Sequence, residues 1–470
     1  VLEDPHFADG TERQKTPIDL PMATLFGKPP KMLRDVTSAD RNAPALALDN
    51  VTLAEALERV LACPTVADKT FLITIGDRSV GGMIARDQMV GPWQVPVADV
   101  AVTTSAYTGV AGEAMAMGER TPLASVNAPA SGRMGIGEAL TNLCAANIRD
   151  LSEVKLSANW MAAAGHEGDD AALYATVKAV GMELCPQLGI AIPVGKDSMS
   201  MKSVWQDTAG QQHSVTAPVS CVISAFAPVS NASKVLTPVL DKAADAPIYL
   251  LDLSGGQQRL ACSILAQVYG QVGTETPDVD DPTLLKNGLL AIQQLVASEL
   301  LTAYHDRSDG GMLTALCEMA FASRCGLHVE LDGTPESALA QLFNEELGVL
   351  VQIKSENLAA VQAVLAEYAV DAALQRVAVL NTDGRISVQV SGQELLNTER
   401  KDLHRIWSAT SHAMQSLRDN PECAQQEYDR LLDTEDIGLF AKLSFDPNDD
   451  VSAPYIGGTK PRIAVLREQG

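Results

Sequence analysis

The sequence is poor in aromatic residues, in paired cysteines and in long apolar runs, and each shortage excludes a class of protein. Aromatic residues make up 4% of the 470 residues, so stacking platforms for single-stranded nucleic acid are not expected. No run of 18 apolar residues and no basic-then-apolar leader occurs, so we expect neither a membrane span nor a signal peptide. The eight cysteines form no Cys-x-x-Cys pair, a pattern typical of a reducing cytoplasm, and we predict a cytoplasmic location.

Positive charge is also scarce. The formal net charge is −24 and the isoelectric point about 4.6, and the basic residues are scattered among acids. Such a field repels phosphate backbones and anionic membranes, so we expect no nucleic-acid partner and no membrane partner. If the chain binds a nucleotide, a divalent metal must stand between its carboxylates and the phosphates.

The length predicts at least two domains, because one hydrophobic core rarely organises 470 residues. Hydrophobic residues make up 46% of the chain, and with so few aromatics the interior should rest on Ala, Val, Leu and Ile in α/β layers. Residues 1–60 and 228–246 are rich in proline, as linkers often are. The chain begins at Val1 without Met and its last segment begins a strand that it cannot finish, so we expect an internal piece of a longer polypeptide.

The apolar periodicity predicts a series of strands and helices. Strands are expected at residues 71–75, 97–103, 190–192, 215–226 and 248–253. Helices are expected at residues 52–61 with Thr52 as N-cap, along the face formed by Met134, Ile136, Leu140, Leu143 and Ile148, and along the face formed by Leu173, Val177, Val180 and Leu184. Residues 393–437 are polar and helical and predict a connector, and residues 460–466 predict a strand.

Three acidic loops that contain glycine are the most informative motifs. They are Gly-Asp-Arg-Ser-Val-Gly-Gly at 76–82, Gly-Lys-Asp-Ser at 195–198 and His-Asp-Arg-Ser-Asp-Gly-Gly at 305–311. Each combines carboxylate, hydroxyl and freely turning backbone, which is what a Mg²⁺-bound polyphosphate requires of a protein. The long segment 76–94 favours function, although a surface loop pinned by Arg–Asp pairing is the alternative.

Oxygen donors outside these loops also suit a hard cation. Glu138 and Asn142 lie four residues apart, so a helix places both on one face; a solvated polar face is the alternative. Asp99 stands alone in an apolar strand pattern, where burial is costly unless the acid is paired or bound to metal. Its alternative is an acid on an edge strand that points to water.

The third loop opens a predicted helix, so backbone amides and a positive dipole end face it. A phosphate could lie there, with Asp306 on its metal and Ser308 on an oxygen; an ordinary turn capped by Asp309 is the alternative. Lys196 and Ser198 follow a strand directly and could meet one phosphate, or they form a simple strand-to-loop turn. The spacing is not that of a Walker A loop.

The order and spacing of these motifs resemble large-type phosphoribosylformylglycinamidine synthase across nearly the whole chain. The residues that carry the resemblance are the 76–82 motif, Ala-Arg-Asp-Gln-Met-Val-Gly-Pro-Trp-Gln-Val-Pro at 85–96, Gly-Glu-Ala-Leu-Thr-Asn-Leu at 137–143, Pro-Val-Gly-Lys-Asp-Ser-Met-Ser at 193–200 and the Asp306 loop. The synthetase region of that family contains two copies of an aminoimidazole-ribonucleotide-synthetase-like unit. This chain is similar to the second copy.

The resemblance implies a division of the chain. It consists of an approach segment at 1–60, an A subdomain at 61–228, a B subdomain at 229–400, a helical connector at 401–459 and the first strand of a class I glutaminase domain at 460–470. It implies that Asp99, Glu138, Asn142 and Asp306 bind Mg²⁺, that Ser308 contacts ATP or ADP, and that Gly195, Lys196 and Ser198 reach the site of the neighbouring copy. Smaller relatives have a metal-binding Asn where this sequence has Lys196, which argues against a catalytic metal there.

The implied reaction is that of a carbon–nitrogen ligase of purine biosynthesis. ATP phosphorylates the amide oxygen of formylglycinamide ribonucleotide, and ammonia from glutamine displaces the phosphate. The first copy and the glutaminase residues would lie outside this chain, so we expect no catalytic residue here, an inactive isolated segment and a structural nucleotide site. The alternatives are a purely structural half with empty acidic loops, or a member of the same fold similar to selenophosphate synthetase or thiamine-phosphate kinase.

Overall fold

The structure, a computed structural model, describes residues 18–28, 33, 35–39, 41, 43–76, 78, 82–243 and 245–467. Expectations for the remaining positions, which include residues 1–17 and Asp77 and Ser79 of the first acidic loop, lie outside the described residues. None of the described helices is long and apolar enough to cross a membrane.

The first part of the chain forms a six-stranded sheet with the order β1-β2-β3-β8-β4-β5. Its strands are β1 Ile84–Arg86, β2 Ala101–Thr104, β3 Gly112–Gly118, β4 Lys155–Met161, β5 Ala191–Ser198 and β8 Ser220–Val229. Strands β4 and β5 pair in parallel and the other neighbours pair antiparallel. A separate hairpin consists of β6 Lys202–Gln206 and β7 Gln212–Thr216.

Six α-helices are described in this part of the chain. They are α1 Met22–Phe26, α2 Leu53–Ala62, α3 Thr70–Ile73, α4 Ala128–Leu143, α5 Asp169–Lys178 and α6 Cys185–Leu188, with a π-helical stretch Ala179–Leu184 that joins the last two. Helix α4 begins at Asn127, whose side chain accepts a hydrogen bond from the Ala130 amide. It is buried on most of its surface because small residues let neighbours approach. A Cβ atom at Gly137 would lie 2.1 Å from Leu347 Cδ1, so the helix contacts the second sheet directly.

The second part forms a seven-stranded sheet with the order β10-β12-β9-β13-β11-β14-β15. Its strands are β9 Ile248–Asp252, β10 Ala303–Asp306, β11 Gly326–Leu331, β12 Gly348–Gln352, β13 Leu374–Asn381, β14 Arg385–Val390 and β15 Gln393–Glu399. Its helices are α7 Ile264–Val268, α8 Pro282–Ala297, α9 Gly311–Ser323, α10 Ala338–Phe343, α11 Leu358–Glu367, α12 Arg400–Arg418 and α13 Pro421–Asp429. Strands β9, β10 and β12 are buried at every residue. Apolar residues dominate β9 and β12, whereas β10 also buries His305 and Asp306.

One hydrophobic core runs through both parts. It includes Ile136 of α4 and Ile223 of β8 together with Leu251 of β9, Leu289 of α8 and Val349 of β12. The interior is built mainly from Ala, Val, Leu and Ile, and the α/β class expected from composition is confirmed.

Several predicted elements are confirmed. Helix α2 begins at Thr52, whose hydroxyl accepts from the Glu55 amide. The apolar face 134–143 lies on α4, although Ile148 lies beyond its end. The face 173–184 lies on the continuous helical stretch from Asp169 to Leu188. Strand β9 occupies the predicted 248–253 segment, and Gly255 and Gly256 turn with positive φ.

Other predicted elements are wrong. Residues 71–75 form no strand: Thr70–Ile73 is a short helix, because the Asp68 carboxylate binds the amide and hydroxyl of Thr70 and starts a helical turn. The expected loop 195–198 is the carboxyl half of β5, paired with β4. The apolar strand expected at 215–226 is divided between β7 and β8. Residues 460–467 are exposed and form no strand; a strand needs a neighbour to pair with, so the glutaminase strand stays a prediction.

Candidate functional site

Asp99 lies just before β2 rather than inside a strand, and its side chain is only 1% exposed. Its Oδ1 atom is 2.7 Å from His305 Nδ1 and 3.4 Å from the Asp306 amide nitrogen. Within the described part of the chain, Oδ2 has no hydrogen-bond partner although it is buried. A buried carboxylate oxygen without a partner is costly unless a cation completes it, so Asp99 is a candidate metal ligand.

His305 and Asp306 are the last residues of β10 and complete a compact group with Asp99. One ligand atom from each of the three residues lies within 4.8 Å of the others. The Nε2 atom of His305 lies 3.0 Å from Glu318 Oε2, so both ring nitrogens face carboxylates. Burial lowers the pKa of His305, but Asp99, Asp306 and Glu318 outweigh burial and raise it well above the usual value. His305 is therefore a cation here, and a bound metal would take its oxygens from the carboxylates.

Arg120 provides a second buried cation, two residues after the end of β3, and is 3% exposed. Its Nη1 atom is 2.7 Å from Asp309 Oδ1 and 3.4 Å from Glu345 Oε2, and its Nε atom is 3.6 Å from Glu138 Oε2. Burial alone would lower the pKa of Arg120, but these three carboxylates raise it. Arg120 therefore joins residues of α4, of the loop before α9 and of the loop before β12.

Glu138 projects from α4 into the same cluster, and its Oε2 accepts a 2.8 Å hydrogen bond from the Glu119 amide. Burial raises the pKa of Glu138 to about 8; Arg120 opposes the shift, and Asp309 and Asp306 add to it. Burial likewise raises the pKa of Asp99 to about 6. Carboxyls that hold protons because of burial and mutual repulsion favour a bound cation, which would let them ionise.

The Glu345 carboxylate accepts a hydrogen bond from the backbone at the start of α9. Its Oε1 accepts from the amides of Gly310 and Ile264, each at 2.8 Å, and burial raises its pKa to about 7. The Gly311 amide donates to the Ser308 carbonyl. The Gly310 and Gly311 amides, at the helix start where we expected a phosphate, thus donate their hydrogen bonds within the protein. The helix is capped by Gly310, not by Asp309, whose carboxylate pairs with Arg120.

Asp99 and Asp306 belong to one compact group with His305. Glu138 lies against Arg120, and Asp306 is among the charges that raise its pKa. The shared metal site of the three carboxylates stays a prediction. Asn142 lies one helical turn beyond Glu138 and its Nδ2 donates to the Met117 carbonyl at 3.0 Å. Ser308 is half-buried in the loop between Asp306 and Asp309.

Gly195, Lys196 and Ser198 lie elsewhere. They are exposed on β5, the opposite edge of the sheet from β1. Four strand-to-strand steps separate β5 from β2, or about 19 Å at the usual spacing of about 4.8 Å. In the described part of the chain they lie four strands from β2, which Asp99 precedes, and they present an accessible edge.

The first acidic loop is described only in part. Arg78 forms an ion pair with Asp87, Nη2 to Oδ2 at 2.6 Å, and also binds Gln94. The Trp93 indole donates to the Asp436 carbonyl, which joins this segment to the chain after α13. These contacts agree with the alternative interpretation of a loop pinned by Arg–Asp pairing.

Sequence reasoning missed four members of the cluster: Arg120, His305, Glu318 and Glu345. The pair Glu345 and Glu346, 5% and 0% exposed, stands immediately before the apolar strand β12. The sequence did contain a signal here: two adjacent acids stand next to an apolar strand, and buried acids need partners. Arg120 offers no comparable local signal.

Two family models match the chain. Residues 68–228 match the FGAR-AT PurM_N-like domain, and residues 248–391 match the C-terminal domain of AIR synthase related proteins. The fold is thus that of an AIR-synthase-related α/β protein. The chain therefore contains an FGAR-AT PurM_N-like domain and an AIR-synthase-related C-terminal domain, and the expected resemblance to phosphoribosylformylglycinamidine synthase is confirmed.

Solved structures of PurL from Thermotoga maritima have the same fold. The chain matches PurL complexed with FGAR with a TM-score of 0.53 and 11% identity, over 75% of this chain and 53% of that one. It matches PurLQS with a TM-score of 0.51 and 12% identity, over 75% and 52%. It matches PurL complexed with AMPPCP with a TM-score of 0.50 and 11% identity, over 75% and 51%. The chain spans about half the length of these structures.

Proposed function

We propose that this chain is the second synthetase half of a phosphoribosylformylglycinamidine synthase and that it holds a Mg²⁺-bound nucleotide at the carboxylate cluster. The observation that carries the proposal is the buried Oδ2 of Asp99, without a hydrogen-bond partner in the described residues and beside Asp306. Carboxylate oxygens are the ligands that Mg²⁺ prefers. PurL structures of the same fold contain FGAR and AMPPCP, which supports a nucleotide as the ligand.

In this proposal each residue has a distinct role. Asp99, Glu138 and Asp306 hold Mg²⁺, with Asn142 as a further oxygen donor from the next turn of α4, and Ser308 contacts a nucleotide oxygen. When bound, Mg²⁺ would neutralise phosphate charge. His305 orients Asp99 and compensates its charge. Ser308 is half-buried and lies two residues after Asp306, which supports its role as a nucleotide contact.

We propose that Gly195, Lys196 and Ser198 serve a different site, that of the first synthetase copy. Their exposure on an edge strand supports a role toward a neighbouring part of the enzyme. Formylglycinamide ribonucleotide would then bind at the interface between the two copies. The division into an A subdomain at 61–228, a B subdomain at 229–400, a connector at 401–459 and a glutaminase domain from 460 is part of the same proposal, as are the cytoplasmic location and the inactivity of the segment alone.

The purely structural alternative is favoured by one observation. Arg120 and His305 are buried cations that already compensate part of the cluster, so the acidic loops could be stable without metal. The two functions differ in whether Mg²⁺ and ADP bind.

Isothermal titration of ADP into the folded protein, with Mg²⁺ or with EDTA, tests the proposal. We expect heat of binding and a rise in melting temperature only with Mg²⁺, because a ligand at 100 times its Kd stabilises the folded state by about 2.7 kcal/mol. Glu138→Gln should weaken both responses. Glu113→Gln, which changes an exposed acid of β3, is the matched control. Absence of ADP binding to the folded protein in the presence of Mg²⁺ would refute the proposal.

A further inference from the structure

The guanidinium of Arg120 lies among three carboxylates, one of which, Glu138, is a ligand of the proposed metal. Its partners Glu138, Asp309 and Glu345 lie 18, 189 and 225 positions away along the chain. Only folding therefore brings this cation among them. Burial is the largest cause of the raised pKa values of Glu138 and Asp309, and Arg120 is the largest influence that opposes it.

Arg120 is nevertheless poorly satisfied by its partners. Its Nε atom lies 3.6 Å from Glu138, beyond hydrogen-bond distance, and its Nη2 atom is buried without a partner in the described residues. Arg259 in the same protein makes a bidentate pair with a carboxylate. Its Nε and Nη2 atoms lie 2.6 and 3.0 Å from the two oxygens of Glu346. A buried donor without a partner is unfavourable, so Arg120 holds Glu138 only loosely, although its Nη1 atom lies 2.7 Å from Asp309 Oδ1.

We propose that Arg120 is a resident counter-cation that competes with the divalent metal for Glu138 and Asp309. In the metal-free protein Arg120 stabilises the cluster; when the metal enters, at least one of these carboxylates turns from the guanidinium to the metal. Arg120 thus sets the metal affinity of the site below what its carboxylates alone would give, and makes folding independent of metal. This inference rests on the proposed metal site.

The closing experiment measures metal affinity directly. Mn²⁺ binding by electron paramagnetic resonance, and melting temperature in EDTA and in Mg²⁺, are compared for wild type, Arg120→Met and Arg259→Met. We expect Arg120→Met to melt lower in EDTA, to gain more from Mg²⁺ than wild type and to bind Mn²⁺ at least about tenfold more tightly. Arg259→Met also removes a largely buried arginine, but we expect it to melt lower without any gain in metal affinity.

The outcomes separate the inference from the proposed function. If wild type binds Mn²⁺ and Arg120→Met binds it with the same affinity or more weakly, the inference is wrong while the metal site stands. If Arg120→Met alone binds Mn²⁺, the inference holds and the structural alternative describes the wild type. If neither binds, both fail. Should Arg120→Met not fold in EDTA or Mg²⁺, Arg120→Lys decides: its single ammonium reaches fewer carboxylates, so unchanged Mn²⁺ affinity overturns the inference and severalfold tighter binding supports it.

Discussion

Gly311, the first residue of α9, offers a sharp test of how the site is positioned. Its φ is +72°, and a Cβ atom there would lie 2.7 Å from the Asn344 carbonyl oxygen and from Phe343 Cα. Gly256 has a similar φ of +84°, but a Cβ atom there would have no atom of the described residues within 4 Å. An L-residue in left-handed backbone costs about 1–2 kcal/mol, and crowding a packed core costs about 1–3 kcal/mol more. Gly311→Ala should therefore cost about 2–5 kcal/mol and Gly256→Ala about 1–2 kcal/mol.

Urea denaturation of the two variants, followed by circular dichroism, measures the difference. Only Gly311→Ala should change the geometry of the site. The reason is that Phe343 and Asn344 directly precede Glu345, whose carboxylate accepts a hydrogen bond from the Gly310 amide. We expect Gly311→Ala to lose ADP affinity and Gly256→Ala to keep it. Equal losses of stability in the two variants, or Gly311→Ala as stable as wild type, would refute the close-packing argument.

Two further predictions concern protonation and a buried hydrogen bond. Because burial raises the pKa of Glu138 from 4.5 to about 8, the folded metal-free protein keeps a proton that the unfolded chain releases, and its stability should fall as pH rises through that window. Urea midpoints in EDTA between pH 5 and 8 check this; Glu138→Gln should flatten the decline, and an equally steep decline in that variant would contradict the reasoning. Tyr304→Phe should cost about 1 kcal/mol, since the buried Tyr304 hydroxyl donates a 2.7 Å bond to the Thr141 carbonyl; an unchanged urea midpoint would show that the bond contributes nothing.

Sequence patterns correctly predicted the elements that are stabilised by contacts between residues close together in the sequence. Thr52 caps α2 through a hydroxyl three residues from its partner, and the positive φ of Gly256 follows from a turn that its own sequence specifies. Residues 71–75 have strand composition, but the contact of Asp68 with Thr70 starts a helical turn there. A distant contact adds to it: the Phe71 amide donates to the Ser411 hydroxyl, 340 positions away. Residues 195–198 resemble a loop but pair in parallel with β4, which no local signal encodes.

The same distinction explains the site. Glu138 and Asp306 were recognisable because each stands in a short motif with other oxygen donors, and Asp99 because it is a lone acid in an apolar segment. Asp99 and Asp306 do lie in one group, whereas a metal site shared with Glu138 stays a prediction. The cation among them was not recognisable, since the meaning of Arg120 depends on Asp309 and other carboxylates that only the fold brings near.

The hydrophobic core shared by the two sheets determines which parts of the protein a bound ligand stabilises. Ile223 of β8 and Leu251 of β9 belong to the same apolar cluster, so neither half can lose its packing without exposing the surface of the other. Stabilisation gained at the acidic cluster is therefore distributed over both halves, and a thermal shift caused by a nucleotide would report on the cooperative unit as a whole.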